Sequence, residues 1–102
     1  MNEVIREFLL ETHENLGQLD ADLLALEQDP HEKQTLARAF RTLHSVKGTA
    51  GFIGLPRLEA VAHSAESLLS KLRSGEQTFN RPIASAILAV VDAIRRMLAS
   101  IE

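Results

Sequence analysis

The residues best suited to chemistry in this sequence are its four histidines, because it contains no cysteine. An imidazole is the side chain most able to act as a neutral nucleophile near pH 7. His13 and His31 lie off the apolar stripes of the chain, which is typical of solvated residues. His44 differs because several of the positions at helical spacing around it are occupied by a cationic side chain or by glycine. We therefore take His44 as the candidate nucleophile.

The surroundings of His44 suit an anion. Arg41 lies three residues before it and Lys47 three after, where both can offset the charge of about −2 on a phosphoryl group. Gly48 and Gly51 follow, although glycine inside a helix costs about 1 kcal/mol relative to alanine. This pattern favours a bare surface through which a partner approaches. Without a motif, the more common interpretation is a helix-boundary histidine beside packing glycines.

A second polar stripe runs along a later helix and consists of Glu59, His63, Glu66, Ser70 and Arg73. If this stripe faces His44, Glu66 can accept a hydrogen bond from one ring nitrogen. That bond would select the tautomer and leave the lone pair of the other nitrogen free to attack phosphorus. Spacing alone favours a plainer interpretation, an exposed intrahelical pair of His63 and Glu66.

Four amphipathic helices must position these side chains. The first follows an apolar stripe with steps of four and three residues, comprising Ile5, Leu9, Thr12, Leu16, Leu19, Leu23 and Leu26. The second is predicted to begin with Asp29 as N-cap, Pro30 in its first turn and Glu32 as the third-position carboxylate. Its spine is Leu36, Phe40, Leu43, Val46 or Lys47, and Ala50. Gly51 and Gly54 mark its end.

The third helix is predicted to open at Pro56 and to stop at Ser74 and Gly75. Asn80 caps the fourth, whose stripe is Ile83, Ile87, Val90, Ile94, Met97 and Ile101. Short connections make sequential helices antiparallel neighbours. The sequence therefore predicts an all-α fold, an antiparallel up-down-up-down four-helix bundle, formed as a single domain by residues 1–102.

Composition limits the possible partners. Lys and Arg number 11 against 14 Asp and Glu, and this net charge of −3 offers no cationic field for nucleic acid. The sequence has no basic region followed by an apolar run, which is the pattern of an export signal. No apolar stretch in it approaches the roughly 20 residues that span a bilayer. We expect a cytoplasmic, monomeric domain that binds neither nucleic acid nor membrane.

The segment from Arg41 to Gly51, RTLHSVKGTAG, resembles the phosphorylation-site helix of histidine phosphotransfer domains, most closely the N-terminal domain of CheA-type chemotaxis histidine kinases. The stretch from His63 to Leu69, HSAESLL, resembles the part of those domains that supplies an orienting histidine and glutamate. Thr49 departs from the small residue that commonly follows the Lys-Gly pair, which bears on partner fit more than on chemistry.

By this resemblance, His44 is the phosphoryl acceptor and Glu66 its hydrogen-bond partner, while Lys47 and His63 belong to the surrounding network. The sequence has neither a Gly-x-x-x-x-Gly-Lys-Ser/Thr loop nor a compact acidic cluster suited to magnesium. Because phosphoryl transfer requires nucleotide and metal to be held somewhere, we expect ATP and magnesium on partner domains rather than a metal or cofactor here.

Two partners are implied: a histidine kinase catalytic domain that phosphorylates His44, and a CheY-like receiver domain of a response regulator that takes the phosphoryl group onto its own aspartate. We expect no independent ATP-dependent catalysis. The chain is expected to be part of a longer kinase, with a free-standing phosphorelay shuttle as the alternative.

Two other classes of protein compete with this interpretation. In a metal-binding bundle, His63 and Glu66 would be ligands from one helical face, but the paired Glu-x-x-His motifs of di-iron bundles are missing. In a helical interaction module, His44 would be incidental. The joint presence of His44, Lys47, Gly48 and Glu66 argues against that loss of chemistry.

Overall fold

The computed structural model describes residues 2–102 and consists almost entirely of four helices. They are α1 (Glu3–Gln28), α2 (Lys33–Ile53), α3 (Pro56–Ser74) and α4 (Arg81–Ile101). At a rise of about 1.5 Å per residue, the 26 residues of α1 extend for about 39 Å, close to the 41 Å long axis of the molecule. The length of α1 therefore sets the length of the molecule, and the other helices lie alongside α1.

Contacts between helices show that neighbours in the chain run antiparallel. Arg38 near the start of α2 binds Asp22 near the end of α1, whereas Phe52 at the end of α2 shares a groove with Val4 at the start of α1. Further along, α3 packs on α2, and α4 packs on α3 and returns to α1. The predicted four-helix bundle is confirmed.

The apolar stripes of the four helices meet in one core. In α1 every residue of the predicted stripe is buried except Ile5, which is partly buried. In α4 the predicted stripe is displaced: the buried residues are Ala84, Ile87, Val91, Ile94 and Leu98, while Ile83, Val90, Met97 and Ile101 lie at the edge of the core. The apolar face of α4 is wide enough for either stripe, and packing against α3 and α1 selects one. No helix within residues 2–102 is both long and apolar enough to cross a membrane.

The start of α2 differs from the predicted one. Asp29 closes α1 instead of capping α2, and Pro30 lies in the turn between them. The N-cap is Glu32, whose carboxylate accepts hydrogen bonds from the amide of Thr35 at 2.9 Å and from its hydroxyl at 3.1 Å. The prediction is wrong by about one turn because Glu32 serves as the cap itself. At the other end, Gly54 with φ 88° closes α2 in the left-handed conformation, as predicted.

A buried carboxylate holds α1 and α2 together. Asp22 is fully buried, and its Oδ1 accepts hydrogen bonds from Arg38 Nε at 2.9 Å, from Arg38 Nη2 at 2.7 Å and from Gln18 at 3.0 Å. The hydrogen bond to Asp22 raises the pKa of Arg38 above its ordinary value. Because burying an unpaired carboxylate is costly, this pair restricts how α2 can rotate against α1. Arg38 precedes His44 by six residues, so the constraint extends to the candidate site.

The contact between α2 and α3 is the most extensive in the bundle. The buried residues of these two helices include small ones, namely Ala39, Ala50, Ala62 and Ala65. The distance between two packed helices depends on the size of the side chains at their contact. Small residues thus bring these helices close enough for polar side chains along the edge to bond directly.

Replacing Leu43 with alanine tests which face of α2 is buried. Leu43 is fully buried beside His44 in the chain, so Leu43→Ala should lower the free energy of unfolding by about 2–5 kcal/mol in urea denaturation. Leu24→Ala is the matched control, because Leu24 is 64% exposed, and it should stay within about 0.5 kcal/mol of the parent chain. Equal losses in the two variants would contradict this packing.

Candidate functional site

His44 lies outside the core on the exposed surface of α2. Leu43 and Val46 on the same helix are buried, and they orient α2 so that 63% of the His44 side chain remains accessible. The imidazole belongs to a rigid helix and not to a loop, yet it can be approached from solvent. A partner can therefore reach it without any rearrangement of the core.

Glu66 of α3 binds the imidazole of His44 across the contact between α3 and α2. The Glu66 side chain is buried, and its Oε2 lies 2.6 Å from Nδ1 of His44. A carboxylate accepts a hydrogen bond here, so the Nδ1–H donates and the ring proton resides on Nδ1. The lone pair of His44 then belongs to Nε2, the nitrogen not bound to Glu66. The hydrogen bond considered in the sequence analysis is thus present.

Lys47 binds the second oxygen of the Glu66 carboxylate. Its Nζ donates to Oε1 of Glu66 at 2.9 Å. Burial alone would raise the pKa of the Glu66 carboxyl. The hydrogen bonds from Lys47 and His44 and the positive charge of Lys47 outweigh burial, and the pKa lies below its ordinary value of 4.5. Glu66 is therefore ionised at neutral pH and acts only as an acceptor.

Aromatic and cationic side chains extend the site towards the start of α2. The Phe40 ring, one helical turn before His44, stacks on the imidazole with 6.1 Å between centroids and 14° between planes. Arg73 of α3 holds its guanidinium carbon 4.5 Å from the centroid of Phe40. The sequence predicts Phe40 in the spine of α2, one turn before His44, and Arg73 in the polar stripe of α3, but it assigns neither residue a role in the site. The four-residue spacing of Phe40 and His44 was the available signal.

The two glycines near His44 have different surroundings. A Cβ on Gly48 would meet no atom within 4 Å, so no neighbouring helix requires glycine at this position. This disfavours a packing role and leaves an open surface one turn from the imidazole. A Cβ on Gly51 would lie 2.7 Å from Oε2 of Glu59, a flexible side chain of α3 that covers this position.

Two of the predicted site residues stand apart. His63 and Arg41 are exposed, and neither forms a hydrogen bond or ion pair through its side chain with another residue of 2–102. Residues 2–102 also contain no group of three or more His, Asp or Glu side chains arranged to hold a metal ion. The structure thus gathers Glu66 and Lys47 around His44, and it leaves His63 and Arg41 at the surface nearby.

The chain is similar to known sequences along its whole length. The sequence model of the Hpt domain family matches residues 3–101. The sensor histidine kinase CheAY of Helicobacter pylori is 34% identical over 102 residues, which cover 100% of this chain and 13% of that protein. The chain spans 11% to 15% of the length of the curated relatives it matches.

Solved structures share the fold along nearly the whole chain. The CheA phosphotransferase domain from Thermotoga maritima has a TM-score of 0.94 and 34% identity, covering 99% of this chain and 98% of that one. The phosphorylated P1 domain of CheA3 in complex with CheY6 from R. sphaeroides has a TM-score of 0.89 and 27% identity, covering 98% of this chain and 78% of that one.

The stabilising role of the Glu66 charge should depend on pH. A carboxyl whose pKa is lowered by folding stabilises the fold above its ordinary pKa of 4.5, and the contribution is lost as the pH falls through the lower folded value. Glu66→Gln should therefore lower the free energy of unfolding by roughly 1–3 kcal/mol near pH 7. The deficit should shrink near pH 3, as measured by urea denaturation at both values.

The matched control is Glu76→Gln. Glu76 is exposed in the turn after α3, and its side chain forms no ion pair within residues 2–102. The control should differ little from the parent chain at either pH. A Glu66→Gln deficit that is the same at both pH values would show that the charge of Glu66 does not stabilise the fold.

Proposed function

The chain belongs to the Hpt domain family, the histidine phosphotransfer domains, and we propose that His44 is the residue that accepts and passes on the phosphoryl group. One observation carries this assignment. His44 is exposed, while its Nδ1 is bound at 2.6 Å by Glu66, a buried carboxylate that is ionised at neutral pH. The free lone pair on Nε2 therefore faces a partner instead of the core.

The chemistry follows from the tautomer. Nε2 attacks the γ-phosphorus of ATP held by a kinase domain, an N–P bond forms, and the bond from phosphorus to the β–γ bridging oxygen breaks to release ADP. The imidazole becomes positively charged as its lone pair is used. The Nδ1–H remains on the ring, and the Glu66 carboxylate stabilises the new charge through its hydrogen bond. Lys47 holds that carboxylate in place from its other oxygen.

Transfer onward reverses these changes. An aspartate of a receiver domain attacks phosphorus, the N–P bond breaks, and the bonding electrons return to Nε2 as a lone pair. His44 is then neutral again and ready for another cycle. In this proposal His44 is a carrier, and ATP and magnesium are supplied by the partner domains, because the sequence has no phosphate-binding loop of its own.

The names of the relatives support two partners. They are called a sensor histidine kinase and chemotaxis proteins CheA, and one structural neighbour is in complex with CheY6. We infer that the chain is the phosphoacceptor domain of a CheA-like kinase and that it serves a CheY-like receiver. The bare surface at Gly48 gives such a partner access to the imidazole.

Phosphorylation of His44 can be tested by labelling. Incubation of the chain with the ATP-binding core of a CheA-type kinase and γ-labelled ATP should give a label that is lost in acid and kept in alkali, as expected of a phosphorus–nitrogen bond. His44→Gln should abolish the label. His31→Gln is the control, since His31 is exposed in the turn before α2, and it should label normally. Label that persists in His44→Gln would overturn the assignment.

The role of Glu66 can be tested by rate. Glu66→Gln keeps the size of the side chain but removes the charge that stabilises the phosphorylated ring, so the initial rate of phosphorylation should fall by about tenfold or more. Circular dichroism should show intact helices. An unchanged rate would mean that Glu66 does not assist the transfer.

A further inference from the structure

We propose that Phe40 and Arg73 form a positioning pair that sets the plane of the His44 imidazole. The plane of the ring in turn sets the direction in which the lone pair of Nε2 points towards phosphorus. The inference rests on the proposed function of His44. It assigns to these two residues a task that the hydrogen bond from Glu66 cannot perform alone.

That limit is geometric. The hydrogen bond at 2.6 Å restrains one distance and selects the tautomer, whereas two side-chain torsions of His44 set the plane of the ring. A combined change of both torsions can therefore tilt the ring while that distance is kept. The lone pair of Nε2 lies in the plane of the ring. A tilted ring therefore aims its lone pair away from the line through phosphorus and the leaving oxygen. Since transfer needs an in-line approach, the plane of the ring matters as much as its position.

Phe40 supplies the missing constraint. Its ring lies 14° from parallel to the imidazole, with centroids 6.1 Å apart, within the range of offset-stacked aromatic pairs. Phe40 is partly buried and packs against the core, so it is less free to move than the exposed His44. A flat, anchored surface on one side of the imidazole disfavours tilting while it leaves Nε2 accessible.

Arg73 holds Phe40 in turn. Its guanidinium carbon lies 4.5 Å from the Phe40 centroid, an arrangement typical of a cation–π contact. The register of the two helices makes this possible: Arg73 follows Glu66 by seven residues on α3, and Phe40 precedes Lys47 by seven on α2. Because the helices are antiparallel, α3 contacts α2 through two side chains that lie about two turns apart on α3. Glu66 binds Nδ1 of His44. Arg73 contacts the Phe40 ring, on which His44 stacks.

The test uses four variants of the full chain. Phe40→Leu removes the flat ring but keeps an apolar side chain, and Arg73→Gln removes the cation above it. Arg73→Lys is the conservative replacement. Lys71→Gln is the matched control, because Lys71 is an exposed cation in the same last turn of α3.

Two measurements are made on each variant. The first is the maximal rate of phosphorylation at saturating concentrations of the chain and a fixed, low concentration of the kinase core, together with the concentration of chain that gives half that rate. The second is nuclear magnetic resonance of the His44 ring without kinase. The nitrogen shifts report the tautomer, and carbon relaxation reports ring mobility.

The proposal expects the maximal rate to fall by about tenfold in Phe40→Leu and by about two- to fivefold in Arg73→Gln, at unchanged half-saturating concentration. The ring should become more mobile in both variants, while the proton remains on Nδ1. Arg73→Lys should recover most of the rate, and Lys71→Gln should match the parent chain. Circular dichroism identifies any variant that fails to fold, and Arg73→Gln keeps the test valid if Phe40→Leu does so.

Unchanged ring mobility in both Phe40→Leu and Arg73→Gln overturns the proposal. A higher half-saturating concentration of the chain with an unchanged maximal rate also overturns it. Failure of the proposed function is distinguishable from either result. It would appear as label that persists in His44→Gln, whereas the ring measurements need no kinase and report the stack directly.

Discussion

The site depends on one buried carboxylate shared between two helices. Glu66 lies under α2, and its two oxygens are divided between the imidazole of His44 and the ammonium of Lys47. A buried charge of this kind is tolerated only when it is paired and hydrogen-bonded, so α2 and α3 have little freedom to slide or rotate past each other without breaking those bonds. The same pairing lowers the pKa of Glu66 and keeps it a pure acceptor. One interaction thus stabilises the packing and selects the tautomer.

A phosphoryl carrier, the role proposed for His44, has two requirements that oppose each other, since its nucleophile must be exposed to partners and yet held in a defined orientation. The bundle meets both by placing the exposed part of His44 on a rigid helix and its restraints behind it. Glu66, itself bound by Lys47, accepts the hydrogen bond from Nδ1, and the Phe40 ring flanks one face of the imidazole. Farther back, the buried pair of Asp22 and Arg38 limits the rotation of α2. The surface at Gly48 stays open because nothing packs there.

The sequence predicted the elements well where one signal dominated and poorly where two signals competed. Asn80 and Pro56 mark helix starts without rivals, and both predictions are confirmed. At the start of α2, Asp29 and Glu32 are both carboxylates able to cap. The prediction of Asp29 as cap and Glu32 as third-position carboxylate is wrong, because Glu32 is the cap. In α4 the apolar face is broad. The predicted and the buried stripe share Ile87 and Ile94 and differ in mean direction by about 60°, so periodicity within the helix left its rotation about the axis uncertain by that amount.

By itself the sequence determined the four helices, their antiparallel order and the motif around His44, because caps, periodicity and short connections act within a few residues of the chain. Only the tertiary structure decided which member of the α3 stripe meets the imidazole. His63 and Glu66 are one turn apart and equally polar, yet Glu66 is buried beneath His44 and His63 is exposed. That choice, like the contact of Arg73 with Phe40, depends on the rotation and register of α3 against α2, which the packing of both helices sets together.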